Sequence, residues 1–446
     1  MTAKAKEKRV AFHGFTTDEL GAEGKFCGYE SFNCDCFGGR LTTAVGSRLV
    51  EDAYKNPISM PSTAKAKRFF QGVVKTETGD LEKVYFFVGE NGGVTMFQSG
   101  KGWIVLDSIT PIECITMRQE EHEVWNVLLS ATGVYVVKEF GKIEKVLEIA
   151  CRAGCCVGER VFYGCQNGEI VYSKPCAPAS VTESVDDGGL LVLPVDAGEI
   201  MAMKGIGNSV YAFCEHAIYK IIAQAKASEF VIRRIPYAGG RIVRNGVGAL
   251  GDRLVILAED GAYILRDGVV EKGYEGLRFG RILTEQGAEY GCFEEKIVFS
   301  YDVRERVANV RRTVTLYGDG KHGFFGDSYI GLSGGEKGVF FMKGLMMACF
   351  GGSVETFNTA PYFRARTTDF GVGGRKRLKK MRLYGTGEAT LVVETEQGER
   401  AYAIAFENGV AEVRLSESGF AFAFSFQPRL GCVLDGADVE FLYAEE

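Results

Sequence analysis

The stretch Val84-Tyr85-Phe86-Phe87-Val88, followed by Glu90-Asn91-Gly92-Gly93 and then Val94-Thr95-Met96-Phe97, reads as two buried strands joined by a tight turn. Runs rich in aromatic and β-branched residues, bounded by Gly and Asn, favour strands. Asn-Gly suits the turn because both residues tolerate positive φ. The pattern returns down the chain. Val124 to Leu129 turns through Ala131-Thr132-Gly133 into Val134-Tyr135-Val136-Val137, and Val161-Phe162-Tyr163 turns through Gln166-Asn167-Gly168 into Ile170-Val171-Tyr172. Val210 to Phe213 pairs with Ile218 to Ile221, and Leu254 to Leu257 turns through Glu259-Asp260-Gly261 into Tyr263-Ile264-Leu265. Ile297-Val298-Phe299 and Val339-Phe340-Phe341 open two more.

These hairpins open at 84, 124, 161, 210, 254, 297 and 339, a mean spacing of about 42 residues, which is that of a propeller blade. Each interval holds about four short strands, for example Leu254–Ala258, Ala262–Arg266, Val269–Lys272 and Arg281–Leu283. One four-stranded sheet cannot bury both of its faces, so radial stacking is the physical solution. The expected fold is all-β: a β-propeller of six or seven blades over 62–360, closed by strands from both ends of the chain. After Ala360-Pro361 the repeat stops and longer alternating strands follow, predicting a separate small β-sandwich over 361–446. Phe420, Phe422, Phe424 and Phe426 fall on one face at period two. Residues 1–61 read as an arm or as strands leading into the ring.

Composition agrees. The 446 residues include Gly 58 but only Pro 9, with Tyr 19 and Phe 31, as many short hairpins require. Net charge is -6, so no general attraction to nucleic acid or anionic membrane exists and any such contact needs a local patch. The basic first residues lead into no apolar segment, and no apolar run approaches membrane-spanning length. The expectation is a soluble chain made in the cytoplasm with no membrane contact. Thirteen cysteines, scattered through apolar strands, suit buried thiols in a reduced compartment.

The motifs point away from chemistry. Gly246-Val247-Gly248-Ala249-Leu250-Gly251 satisfies GxGxxG, but a strand follows where a dinucleotide site needs a helix; it reads as a blade-to-blade turn. Cys34-Asp35-Cys36 and Cys151 to Cys156 lack zinc-ligand spacing, and His13, His122, His216 and His322 stand apart from any nucleophile. Asp186-Asp187, Glu259-Asp260 and Asp302 sit where propeller enzymes gather carboxylates, yet turns favour these residues for their own hydrogen bonding. No catalytic residue, cofactor or metal is expected. The sharpest charge feature is Arg375-Lys376-Arg377-Leu378-Lys379-Lys380-Met381-Arg382. Alternation puts Arg375, Arg377 and Lys379 on one side as candidate phosphate or partner contacts, and Lys376, Lys380 and Arg382 on the other. The plainer reading is a charged edge strand that blocks sheet-to-sheet association, since no aromatic residue interleaves the run to stack on bases.

Three segments resemble virion proteins of tailed bacteriophages, the propeller-bearing tail nozzle and packaged-DNA-stabilisation proteins. They are Glu30 to Leu41; the run from Val171-Tyr172-Ser173-Lys174-Pro175 through Gly205 to Cys214 and Ala217 to Ile221; and Thr368-Asp369-Phe370-Gly371 ahead of the basic strand. The resemblance implies a structural neck or tail component without catalytic residues, a cyclic homo-oligomer in the virion that contacts neighbouring virion proteins. DNA contact would arise only in the assembled ring. The competing expectation is a carbohydrate-active or ligand-binding β-propeller with an accessory sandwich module.

Overall fold

The structure, a computed structural model, describes residues 3–444 apart from 16–24, 38, 44–47, 53, 60–65, 77, 90–91, 119–122, 183–187, 225, 294, 306–307, 327–338, 343–344, 349–359, 366–369 and 371–373. The fold is all-β. Consecutive strands form four-stranded antiparallel sheets, which we number as blades. Blade 1 runs from Ala66–Lys75 to Gly102–Asp107, blade 2 from Pro111–Arg118 to Lys142–Leu147, and blade 3 from Ala153–Val157 to Gly189–Val192. Blade 4 runs from Ile200–Ile206 to Val231–Ile235, blade 5 from Ile242–Leu250 to Val269–Gly273, and blade 6 from Ala288–Phe293 to Gly323–Gly326. The last hairpin, Val339–Met342 with Leu345–Ala348, is completed as a three-stranded sheet by Arg48–Leu49 from the N-terminal part.

Burial explains why the middle strands read as unbroken apolar runs. Val161 and Tyr163 of blade 3 pack with Val127 and Leu129 of blade 2, whereas Phe162 packs with Met203 and Val210 of blade 4. Met201 and Phe213 of blade 4 then meet Val247 and Ile256 of blade 5, whose Val255 and Leu257 meet Ile297 and Phe299 of blade 6. Alternate residues of one strand thus serve two neighbouring sheets, and both faces must be apolar.

The strands that set the period are the second and third of each blade; the first strand, which precedes them, lies innermost. In blade 5 that strand is Ile242–Leu250, so residues 281–283 contribute only an isolated bridge from Ile282 to Val303. The GxGxxG segment is correspondingly no blade-to-blade turn. Gly246 and Gly248 lie within the innermost strand, and only Gly251, at φ +60, turns the chain. Glycine is needed there by contact: a Cβ on Gly248 would lie 2.0 Å from Ile297 Cδ1 of blade 6.

Blades 1 and 2 share a polar staple. Asn126 is fully buried; its Oδ1 accepts from Val73 N (3.0 Å) and Thr116 Oγ1 (3.0 Å), and its Nδ2 donates to Val73 O (2.7 Å) and Val137 O (3.2 Å). The side-chain amide pairs with a peptide group as a neighbouring strand would.

The N-terminal strands belong to the sandwich rather than to an arm. Ala3–Val10 pairs with Ala437–Ala444, the last strand, and Ala11–Phe15 crosses to pair with Lys25–Gly28 in the opposing sheet. Val10, Phe12, Cys34 and Leu41 share one core with Leu378, Met381, Phe424 and Phe441. Arg48–Leu49 of this region joins the three-stranded sheet of the last hairpin. Gly323–Gly326 of blade 6 pairs with the sandwich at Phe32, and Asn33 N donates to Phe325 O (2.9 Å). Phe422, Phe424 and Phe426 are fully buried, but Phe420 is 60% exposed. The chain bends at Phe420 and Ala421, which interrupts the period-two alternation.

Asn126→Ala is expected to destabilise by about 2 kcal/mol, because it removes the partner of the half-buried Val73 peptide; denaturant unfolding checks this. In the sandwich, Phe422→Ala is expected to cost roughly 3–5 kcal/mol, whereas Phe420→Ala should stay within about 0.5 kcal/mol.

Candidate functional site

Lys376–Thr386 is an interior strand. It bonds to Val433–Ala444 on one side and to Val410–Arg414 and Ser418–Gly419 on the other. The edge-strand reading is therefore corrected; alternate residues Leu378, Met381 and Leu383 fill the sandwich core, and that burial places the strand mid-sheet. A register shift between Leu378 and Lys380 inserts Lys379 as an extra residue. A bulge turns later side chains to the other face, so Lys380 and Arg382 share the outer face with Arg377 instead of opposing it. Lys376 alone turns inward, 2% exposed, and its Nζ donates to the carbonyls of Gly374 and Phe420, at 2.9 Å each.

The outer face carries an ion-pair ladder. Lys380 and Arg382 hold Glu412 at 3.3 and 3.6 Å, and Arg9 pairs with Asp438 at 3.4 Å while stacking 4.2 Å above Tyr384. Arg375, Arg377 and Lys379 are exposed, and their side chains make no ion pair or hydrogen bond among the described residues. Gly419 pairs with Lys376, so the exposed Phe420 ring stands at the same end of the sheet as Arg375. That aromatic neighbour comes from another strand, and sequence reasoning missed it.

Asp260 and Asp302 are engaged, whereas the Glu259 side chain is exposed and makes no hydrogen bond or ion pair among the described residues; Asp186 and Asp187 lie outside the described residues. Asp260 accepts from Gly240 N (2.9 Å), Tyr263 Oη (2.5 Å) and Lys272 Nζ (2.9 Å). Burial opposes its charge, but these donors outweigh burial and hold its pKa below the ordinary value. Asp302 pairs with Arg311 at 3.3 Å. Where innermost strands begin, Glu199 holds Arg152 (3.4 Å) and Arg244 (3.0 Å), and Arg241 bridges Glu215 and Glu285.

The ring axis is filled by side chains from alternate blades. Lys204 of blade 4 pairs with Glu113 of blade 2 at 3.3 Å and donates to Tyr290 Oη of blade 6 at 2.6 Å. Burial disfavours the ammonium, yet Tyr290 and Glu113 more than offset it, so Lys204 stays charged. Burial pushes Tyr290 up to about 12, so it stays protonated. Two hollows open between neighbouring blades among the described residues. One of about 750 Å³ between blades 5 and 6 is lined by Arg253, Lys272 and Asp319, and one of about 680 Å³ between blades 1 and 2 by Glu82, Trp125 and Lys138.

The cysteine clusters are divided by packing. Cys151 faces blade 2 and Cys155 faces blade 4, while burial raises both thiols and Cys156, the last to about 11. Among the described residues no group of three or more His, Cys, Asp or Glu could hold a metal ion, and no helix is long and apolar enough to cross a membrane.

No protein-family model and no curated protein matches the chain. Among solved structures it is similar to a catalytically inactive virginiamycin B lyase from Staphylococcus aureus with quinupristin, at 12% identity and TM-score 0.43, over 66% of this chain and 97% of that one. It is also similar to BBS1N in complex with ARL6DN, at 10% identity and TM-score 0.45, over 70% and 99%. PorZ, a surface component of the type-IX secretion system of Porphyromonas gingivalis, aligns at 12% identity and TM-score 0.40, over 80% of this chain but 53% of its own. None of these likenesses bears on what the chain does.

Replacing Arg375, Arg377 and Lys379 together by Ala should leave stability within about 1 kcal/mol. Three phosphate contacts give a salt slope of roughly 2.7, so the isolated chain should bind duplex DNA only weakly near physiological salt. Tight binding by the isolated chain that the triple variant abolishes would contradict this.

Proposed function

We propose that the chain is a structural, non-enzymatic component of a phage or prophage particle, a protein–protein docking ring of the neck or tail. In this reading it assembles as a cyclic homo-oligomer and contacts neighbouring virion proteins. The observation that carries the reading is the rim. Fourth strands of successive blades expose aliphatic side chains: Val105 (73% exposed) in blade 1, Val192 (57%) in blade 3, Val231 and Ile232 in blade 4, and Val269 (58%) in blade 5. A sheet edge that offers both backbone hydrogen bonds and apolar side chains is an association surface. Blade 6 differs, since its fourth strand pairs with the sandwich. An axis occupied by Lys204, Glu113 and Tyr290 favours docking over chemistry, and so does the resemblance of three segments to tail nozzle and packaged-DNA-stabilisation proteins. DNA contact, if made, belongs to the assembled ring, which multiplies the Arg375, Arg377 and Lys379 patch by its copy number.

A carbohydrate-active or ligand-binding propeller is the competing reading. The observation favouring it is the groove between blades 1 and 2, where Lys138 Nζ lies 3.9 Å from the Trp125 ring centre. Mass spectrometry of particles induced from the source strain separates the two. The chain is expected among the virion proteins, and its consistent absence from intact particles, with saturable glycan binding that Trp125→Ala abolishes, would replace the docking role.

A further inference from the structure

Arg68 opens the innermost strand of blade 1 and reaches the ring axis, where it makes no hydrogen bond or ion pair among the described residues. Its Nη1 is sealed from solvent. A guanidinium carries five donors and cannot be deprotonated in a protein, and a buried charge without a counter-charge is costly. The carboxylates beside it are already taken: Glu113 by Lys204 at 3.3 Å and Glu289 by Arg311 at 3.2 Å. Arg244, the next cation, is itself held by Glu199. Arg311 holds Asp302 as well as Glu289, so charge is balanced here; what the Arg68 guanidinium lacks is hydrogen-bond acceptors.

The same place holds further unused donors. Arg68, Glu113, Asn245, Glu289 and Tyr290 line a cavity of about 30 Å³. Asn245 reaches it because the innermost strand of blade 5 shifts register between Ile242 and Val247, with Asn245 itself at φ 54. A bulge of this kind re-aims a side chain, and the Asn245 amide has no hydrogen-bond partner among the described residues. Tyr290 accepts from Lys204, so its own O–H remains to be donated.

We infer that the ring axis is a binding site for one small monoatomic anion, chloride or bromide, held by the Arg68 guanidinium with the Asn245 amide and the Tyr290 hydroxyl. The cavity holds one or two water-sized bodies, which excludes phosphate, sulfate and carboxylate ligands. The anion supplies the acceptor that these donors lack at the point where blades 1, 2, 5 and 6 converge. This inference is independent of the docking role.

The test uses the full chain at constant ionic strength, exchanging sodium gluconate, whose anion is too large to enter, for sodium chloride. The unfolding midpoint is expected to rise by about 1–3 °C and to saturate as a single site does. Arg68→Gln should abolish the rise, and Asn245→Ala should shift its half-saturation several-fold to higher chloride. Because Arg68→Gln could fail to fold, wild-type crystals soaked in bromide give a second reading: an anomalous peak within hydrogen-bond distance of Arg68. A midpoint equal in chloride and gluconate, or a bromide crystal with no such peak, means that water alone fills the cavity and overturns the inference.

Discussion

A propeller sheet between two others has two apolar faces, and neither face can be left to water. Blade 3 expresses the constraint at its smallest scale, since Phe162 and Tyr163 are neighbours in sequence yet belong to cores on opposite sides of their strand. Stacking sheet on sheet satisfies every interior face and leaves only the two ends of the series. The far face of blade 1 is aromatic, with Phe69, Phe87 and Phe97 packed against Ile58 and Val50. The far face of blade 6 is different in kind, with Ser300, Thr313 and Thr315 buried on it. Strands from distant parts of the chain meet in the three-stranded sheet that follows, Arg48–Leu49 with Leu345–Ala348.

Radial stacking also crowds the innermost strands, and two devices answer the crowding. Glycines admit the neighbouring blade: a Cβ on Gly205 would lie 2.5 Å from Val157 Cγ2 of blade 3, and one on Gly154 would lie 2.3 Å from Leu129 Cδ1 of blade 2. Charges then link blades that share no backbone pairing. Lys204 joins Glu113 and Tyr290 across the axis, and Glu199 joins Arg152 to Arg244 where the innermost strands begin. Buried pairs of this kind cost desolvation and return geometric definition, which suits an axis where apolar packing alone sets no register.

The sandwich binds the chain's two ends into one sheet. Ala3–Val10 lies beside Ala437–Ala444, which in turn lies beside Lys376–Thr386. Burying Leu378, Met381 and Leu383 leaves the intervening cations on the outer face, where Lys380 and Arg382 share Glu412 and the side chains of Arg375, Arg377 and Lys379 stay unpaired among the described residues. The basic run is therefore the solvent side of a core strand. Its charge is local in a chain that is acidic overall.

The sequence by itself determined the strands of the blades, their hairpin turns and their period, because those depend on neighbours within a few residues: apolar runs for sheets buried on both faces and Asn-Gly or Asp-Gly where φ must be positive. It also exposed the alternation that buries Phe422, Phe424 and Phe426. Tertiary structure alone decided the rest. Gly248 looks like a turn residue until Ile297 of the next blade is packed against it. Lys380 and Arg382 look opposed to Arg377 until the bulge at Lys379 is paired against Phe441 and Glu440. Phe420, Arg68 and Asn245 carry no local signal, since their surroundings are assembled from strands tens to hundreds of residues apart. Ala3–Val10 finds its partner strand more than four hundred residues away. Contacts at that separation are chosen by which surfaces remain unburied once local structure has formed, and no window of sequence contains that information.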